Sequence, residues 1–480
     1  MNQRIQSGPV MAALLVAGFV GLFSETALNI ALGDLGHIFE VNATVIQWLA
    51  TAYFLTLGIL VPVTGILMQK LTTRQMFITA VVLMLGGTVL AALAPVFPVL
   101  LAGRVIQAAG LAINLPLTQN VIFTIFPPAK RGAAMGIMGL VMLAGPALGP
   151  TIAGLILDTL SWNWIFWVTV PFLLFSLVFG LKYVPNLHEV REVRVDALSI
   201  VLSTLGFGGL VYGVSIAGEK GWGGAGVVLA LILGILGLLL FTVRQLKMKT
   251  PMLNLKAFQY PMFVVGVVMG FITFFNMLSM LVILPLYMQG TLLVAAFTTG
   301  LVLLPGSLLN CVLAPVIGRL FDKYGPKAVV TPGTLFVAAA YAIYAQFGAD
   351  TALWLIVAAH IVMMIGVGAV LANVQTNTLN SLPRAYYPDG IALTQTVQQV
   401  AGAIGIAVMV SVFSARSGEL SGAPGGIAEA TAAGSSRVFL IGLILAAVNV
   451  GLSLLMKKPG EVRVKAGKTE SAVWKEEEAL

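Results

Sequence analysis

Apolar stretches about as long as a bilayer is thick recur along this chain, parted by short polar joints. A helix that crosses hydrocarbon needs about 20 apolar residues. Fourteen windows meet that need, at 10–33, 45–68, 76–95, 98–124, 132–157, 163–182, 196–217, 223–243, 258–288, 296–318, 328–347, 351–379, 389–413 and 435–456. Strings such as "FPPAKRG" (126–132) and "SLPRAYYPDG" (381–390) punctuate them with helix-breaking residues. Only 183–195, 244–257 and 414–434 are longer connections. The first window follows a basic residue, as a signal peptide would, but it is long and leads into further windows, so it reads as a retained helix. The pattern predicts an all-α polytopic membrane protein.

Composition narrows the class. Of 480 residues, 59% are hydrophobic and 9% charged, against about 25% charged in soluble domains. The net charge of +8 is scattered through short loops, so no nucleic-acid partner is expected. With the amino terminus placed inside, 22 of the 26 basic residues fall on the cytoplasmic side, as the positive-inside bias requires. Both termini are then cytoplasmic, and most tryptophans fall near outer helix ends. The single Cys311 excludes an internal disulfide, and His37, His188 and His360 are far apart, so no metal site is expected. No phosphate-binding loop and no nucleophile–base pair is present. Neither an enzyme nor a cofactor is expected.

Two strings repeat. "GILMQKLTTRQ" (65–75) and "GRLFDKYGPK" (318–327) each begin with glycine at a helix end and turn tightly into the next helix. Each follows the second helix of a six-helix block once windows seven and eight are treated as an insertion. Related halves point to a transporter with its site at their interface. These strings resemble the loop motif of the major facilitator superfamily: Gly318, Asp322, Lys323, Gly325 and Lys327 match, as do Gly65 and Arg74, whereas Gln69 and Thr72 depart from it. "LLAGRVIQAAGLA" (100–112) resembles its fourth-helix motif through Arg104, Gln107 and Gly110. "GLVMLAGPALGPTIAG" (139–154) resembles its antiporter motif through Gly145, Pro146 and Gly149. With fourteen spans, the chain resembles the drug:proton antiporter-2 family, and within it the lincomycin-resistance type of Gram-positive bacteria.

The resemblance implies a major facilitator fold in the plasma membrane, with residues 1–182 and 258–456 as two six-helix bundles. Residues 183–257 then form a linker with two inserted helices, and 457–480 a cytoplasmic tail. It implies multidrug efflux by proton antiport. The alternatives are proton-coupled export of an endogenous lipid, nucleotide or metabolite, or, less favoured, a channel or a non-transporting receptor. The expected partners are amphipathic small molecules, protons and the bilayer, and a monomer is expected.

The residues carry their own argument. Glu25 is the only charge between Arg4 and Asp34, and a charge at membrane depth costs about 2.5–3.5 kcal/mol on insertion scales. At 1.5 Å per residue, Glu25 lies about 12 Å and Arg104 about 9 Å below the outer surface, so an ion pair or polar cluster is geometrically open to them. A carboxylate whose distance to an arginine changes is a minimal proton-coupling device; a fixed pair that only orients helices is the plainer reading. Asp34, at the outer end of the same helix, is the rival proton site, and Asp158 reads as structural. Asn29, Gln107, Asn114, Asn276, Tyr287, Asn310, Gln395, Gln398 and Gln399 are candidate substrate contacts, each equally able to bond a neighbouring helix.

Overall fold

The computed structural model describes residues 6–41, 43–46, 48–187, 196–248, 251, 253–294, 296–383, 386–420 and 426–457. Those residues form helices and joints, with no strand among them. In chain order the long helices are α1 (Ser7–Ile38), α2 (Trp48–Lys70), α3 (Thr73–Ala92), α4 (Phe97–Ile125) and α5 (Arg131–Thr159). They continue as α6 (Val170–Tyr183), α7 (Ala197–Lys220), α8 (Ala225–Lys247), α9 (Pro261–Gly290) and α10 (Ala296–Tyr324). The last four are α11 (Pro326–Tyr344), α12 (Leu353–Asn380), α13 (Tyr387–Leu420) and α14 (Gly426–Leu454). Thirteen of them supply an apolar stretch long enough to cross a membrane. The other, α5, is rich in glycine and proline and stands where the fifth window fell. The chain is an all-helical, multi-pass membrane protein.

Local chemistry sets the joints. Thr72 and Gln75 close a reciprocal capping box at the start of α3, with bonds of 3.2 and 3.0 Å. Proline opens α9 and α11, where its missing N–H costs nothing. Gly325, at φ 86°, makes the turn into α11 that a side chain would strain.

The chain divides into two compact units. One comprises residues 1–126, 137–253 and 391–407; the other comprises 127–136, 254–390 and 408–480. In the first, α3 packs on α4, α2 on α4, α1 on α6, α3 on α6 and α1 on α4. In the second, α11 packs on α12, α10 on α12, α9 on α14, α11 on α14 and α9 on α12. Counting helices from the start of each six-helix set, these are the same five pairings.

The repetition reaches individual atoms. A Cβ on Gly110, the fourteenth residue of α4, would sit 2.5 Å from the Ala80 carbonyl and 2.8 Å from the Met84 nitrogen of α3. A Cβ on Gly366, the fourteenth residue of α12, would sit 2.7 Å from the Gly333 carbonyl and 2.8 Å from the Val337 nitrogen of α11. Ala80 and Gly333 are each the eighth residue of their helix. Hydrocarbon supplies no hydrophobic drive between helices, so close backbone approach at small residues holds such pairs together.

The inserted helices α7 and α8 meet along Gly206, Gly209, Gly234 and Gly237, and α7 lies on α2 through a stacked Trp48–Tyr212 pair. The far face of α8, with Leu229, Leu233, Leu236 and Leu240, is exposed, the composition expected of a lipid-facing surface. At the joint before α7, Asp196 caps the helix through Ser199 and takes a two-pronged bond from Arg244 of α8, at 2.6 and 2.9 Å. The Arg244 guanidinium, with the Ser199 hydroxyl, holds the Asp196 carboxyl well below the usual carboxylate range.

Two outcomes follow from this packing. Gly110→Leu and Gly366→Leu each force a helix pair apart, and thermal unfolding in detergent should show a loss of at least about 1–3 kcal/mol. Gly86→Ala, whose Cβ meets nothing within 4 Å, should be neutral or slightly stabilising. Because the Asp196 pKa is depressed in the folded protein, its contribution is present above the unfolded value of about 3.9 and is lost as pH falls further. The protection factor for hydrogen exchange at the start of α7, taken relative to the intrinsic rate at each pH, should therefore be unchanged from neutral pH down to about pH 4 and fall below it. Asp196→Asn should show the lower protection at every pH.

Candidate functional site

The polar centre of the first unit is built around Arg104. Its residue is 0% exposed, the largest fully buried side chain described. The α4 backbone brings it against α1 and α2. Nη1 donates to the Ser24 carbonyl at 2.8 Å and to Gln107 Oε1, one turn along the same helix, at 3.2 Å. The guanidinium carbon stands 4.2 Å from the centre of the Tyr53 ring, and the Tyr53 hydroxyl donates to the Gly21 carbonyl at 3.0 Å. Gln107 passes the network on, donating to Thr88 Oγ1 at 2.7 Å, and Thr88 donates to the Met84 carbonyl at 2.7 Å.

Two guanidinium nitrogens, Nε and Nη2, have no hydrogen-bond partner. Cation–π contact offsets part of that deficit, but an arginine offers five N–H donors. Glu25 is the next residue after Ser24, partly buried, and Arg104 acts on it electrostatically. The ion pairs among the described residues are Asp196–Arg244 and Arg416–Glu419, so Glu25 and Arg104 are neighbours without direct contact. The arrangement provides a buried cation with unfilled donors beside a carboxylate one helical step from its bonded carbonyl.

The antiporter-motif glycines bear on the same stretch. Gly145 of α5 lies against Leu22 and Phe23 of α1, and Gly149 against Thr26 and Ala27. The α5 backbone therefore rests on α1 immediately before and after Glu25. Pro146 is partly buried. Beside this contact, Leu14, Gly18, Leu22, Leu115, Thr118, Met138 and Met142 line a small apolar cleft with about 10 Å³ of free space, far below the roughly 300–1,000 Å³ of drug-sized pockets.

The loop motif engages a helix end in the second unit. Asp322 accepts from the backbone N–H of Gly132 at 2.8 Å and of Ala133 at 2.9 Å, filling donors that the first turn of α5 leaves open. Gly318 and Gly132 meet backbone to backbone. Beside them, Arg131 donates to Asn380 Oδ1 at 2.5 Å and to the Tyr387 hydroxyl at 2.9 Å. Lys323 is exposed. In the first unit, Gly65 is buried and Arg74 donates to the Leu181 carbonyl at 2.5 Å, while its own N–H is accepted by Asn186. The inherited Arg74 therefore braces the α6 end.

The remaining candidates divide. Asn114 donates to the Leu14 carbonyl at 3.1 Å, Asn276 to the Gly442 carbonyl at 3.4 Å, and Asn310 to Met364 Sδ at 3.9 Å. In each the amide oxygen has no partner. Tyr287 bonds the Gly348 carbonyl at 2.6 Å inside a cluster with Phe347 and Phe439. Gln395 and Gln398 are buried and Gln399 partly so, and Gln395 Nε2 has no partner. The side chains of Asn29, Asp34 and Asp158 lie outside the described residues, as does His188. Sequence reasoning missed Tyr53 and Thr88. A tyrosine in the outer half of an otherwise apolar window was the one available signal for Tyr53; none marked Thr88. No cluster of His, Cys, Asp and Glu suited to a metal is found among the described residues.

Comparison with known proteins places this geometry. The Major Facilitator Superfamily pattern matches residues 14–406. The "Lincomycin resistance protein LmrB" of Listeria monocytogenes is 48% identical over 95% of this chain and 98% of its own length, and that of Bacillus subtilis is 48% identical over 95% and 97%. The "Multidrug efflux pump LfrA" of Mycolicibacterium smegmatis is 27% identical over 84% of this chain and 80% of its own. The crystal structure of the human organic anion transporter MFSD10 shares the fold, with a TM-score of 0.63 at 14% identity, over 92% of this chain and 99% of that one. A buried arginine on the fourth helix, glycine contacts of α5 on α1 and a duplicated set of helix pairings are thus those of a membrane transporter, and the chain belongs to the major facilitator superfamily.

Proposed function

We propose that the chain exports amphipathic, drug-like compounds in exchange for protons, by alternating access. The observation that carries this reading is the fully buried Arg104, with two unpartnered guanidinium nitrogens, adjoining Glu25. A buried unpaired donor is costly, and an intramembrane charge is a functional group by default. Glu25 protonated leaves Arg104 to its present partners; Glu25 ionised is drawn toward the open Nε and Nη2. Cargo that competes with the proton for the Glu25 carboxyl favours proton loss. Gly145 and Gly149 rest on the face of α1 that carries Leu22, Phe23, Thr26 and Ala27, so a shift of α1 that follows a change in the Glu25 carboxyl would be passed to α5, which begins at the Asp322 cap.

Relatives named for lincomycin resistance and multidrug efflux support the cargo class. Methionines and leucines in the cleft between α1, α4 and α5 support adaptable apolar contact. The unfilled amide oxygens of Asn114, Asn276 and Asn310, and the Gln395 amide, are the polar contacts this reading gives the cargo. In it the bundles at 1–182 and 258–456 rock as bodies in the cell membrane, with both termini cytoplasmic and the monomer as the working unit.

Reconstituted in vesicles with an imposed pH gradient, the wild type should move ethidium, a fluorescent amphipathic cation, uphill. Glu25→Gln should still bind ethidium but carry it only downhill. If Glu25→Gln keeps uphill transport and Asp34→Asn abolishes it, the assignment fails. A second outcome concerns the cap: Asp322→Ala removes both bonds to α5, at about 0.5–2 kcal/mol. Hydrogen exchange at 131–136 should rise accordingly, and transport should slow with ethidium binding retained.

A further inference from the structure

The repeated halves place a second ionisable group where no role has been assigned. Arg104 is the eighth residue of α4, and His360 is the eighth residue of α12. The two helices are in equal register. Gly110 and Gly366 are both fourteenth residues with matching contacts on the preceding helix, and Gln119 and Gln375 are both twenty-third. His360 thus occupies in the second unit the position that Arg104 occupies in the first. It is 7% exposed, and neither Nδ1 nor Nε2 has a hydrogen-bond partner.

Its surroundings are close-packed but not satisfying. Gly306 of α10 lies against the ring, where a Cβ would come within 2.6 Å of Cδ2. The Leu303 carbonyl faces the imidazole without reaching hydrogen-bond geometry to either ring nitrogen. A neutral imidazole carries one donor and one acceptor, and an imidazolium carries two donors. A phenylalanine would fill the same space with no polar atom left over, so packing alone does not explain a histidine here.

The helices packed on α12 are α9, α10 and α11. Their charged side chains are Arg319, Asp322 and Lys323 at the end of α10 and Lys327 at the start of α11, about 20 Å or more along the helices from the Leu303 level. The titratable groups they carry nearer the ring are the phenols Tyr287, Tyr341 and Tyr344 and the thiol Cys311. None is ionised at neutral pH at its ordinary pKa. No carboxylate pairs with His360 among the described residues. The ring is shut off from solvent by its packing against α10 at Gly306, so a movement of α10 away from α12 there would open it to water.

We infer that His360 is a second proton-binding site, taking one proton on a ring nitrogen from solvent and returning it as α10 and α12 separate and close. This deepens the antiport reading above and rests on it for its role in transport, but proton binding at the ring is measurable without transport.

The test has two arms. In His37→Gln, His188→Gln protein, the remaining imidazole is followed by NMR across about pH 5–8, the range in which histidine switches charge, with and without ethidium. His360 should titrate within that range in one of the two conditions and keep a single protonation state in the other. In vesicles, His360→Gln should lose the pH dependence of ethidium transport that the wild type shows across the same range, while His360→Gln protein melts as the wild type does. A ring signal that does not move across the range in either condition, or a His360→Gln pH profile superimposable on wild type, overturns the inference. Should His360→Gln fail to fold, the NMR arm alone decides. Failure of the antiport reading looks different: His360 titrates, but no imposed gradient drives uphill transport in the wild type.

Discussion

Hydrocarbon offers a polar group nothing to bond with, so each one carried into the membrane must be met by protein, and Arg104 is met only in part. Its guanidinium lies on the Tyr53 ring and reaches the Ser24 carbonyl and Gln107. Nε and Nη2 are left over. A wholly satisfied arginine would lock α1, α2 and α4 together. A wholly unsatisfied one would not stay buried. The intermediate arrangement holds the three helices in place and leaves a charge free to respond to its neighbour Glu25.

In the proposed cycle, what surrounds this centre would convert a local change into a displacement. Glycines do the mechanical part: Gly145 and Gly149 let the α5 backbone rest directly on α1, and Gly132 and Gly318 do the same at the other end of α5. Small residues give smooth contacts that slide without side chains having to repack. Asp322 caps the start of α5 by accepting two N–H groups. The same helix thus packs on α1 through glycines in its second half and is capped by Asp322 at its start.

Hydropathy made the class and helix order legible, because a 20-residue apolar run has few other uses. The matched depths of Glu25 and Arg104 were legible too, since a helix rises by a fixed amount per residue. Rotation about each helix axis was not. Hydropathy that is high all round leaves no apolar stripe to mark the buried face, so Tyr53 and Thr88 could not be placed beside Arg104 in advance. The same ambiguity let Tyr287 stand as a cavity candidate, whereas its hydroxyl bonds the Gly348 carbonyl within an aromatic cluster. The repeated loop strings announced two related halves, but the equal register of α4 and α12 emerged only from the contacts of Gly110 and Gly366.

The proposed transport cycle turns on one carboxyl beside Arg104 that exchanges its proton against cargo. Purified protein in a weakly buffered solution with a pH-indicator dye tests this without membranes or gradients. Saturating wild-type protein with ethidium should release protons, and Glu25→Gln protein, binding the same dye, should release none. Equal proton release from both proteins would contradict the claim.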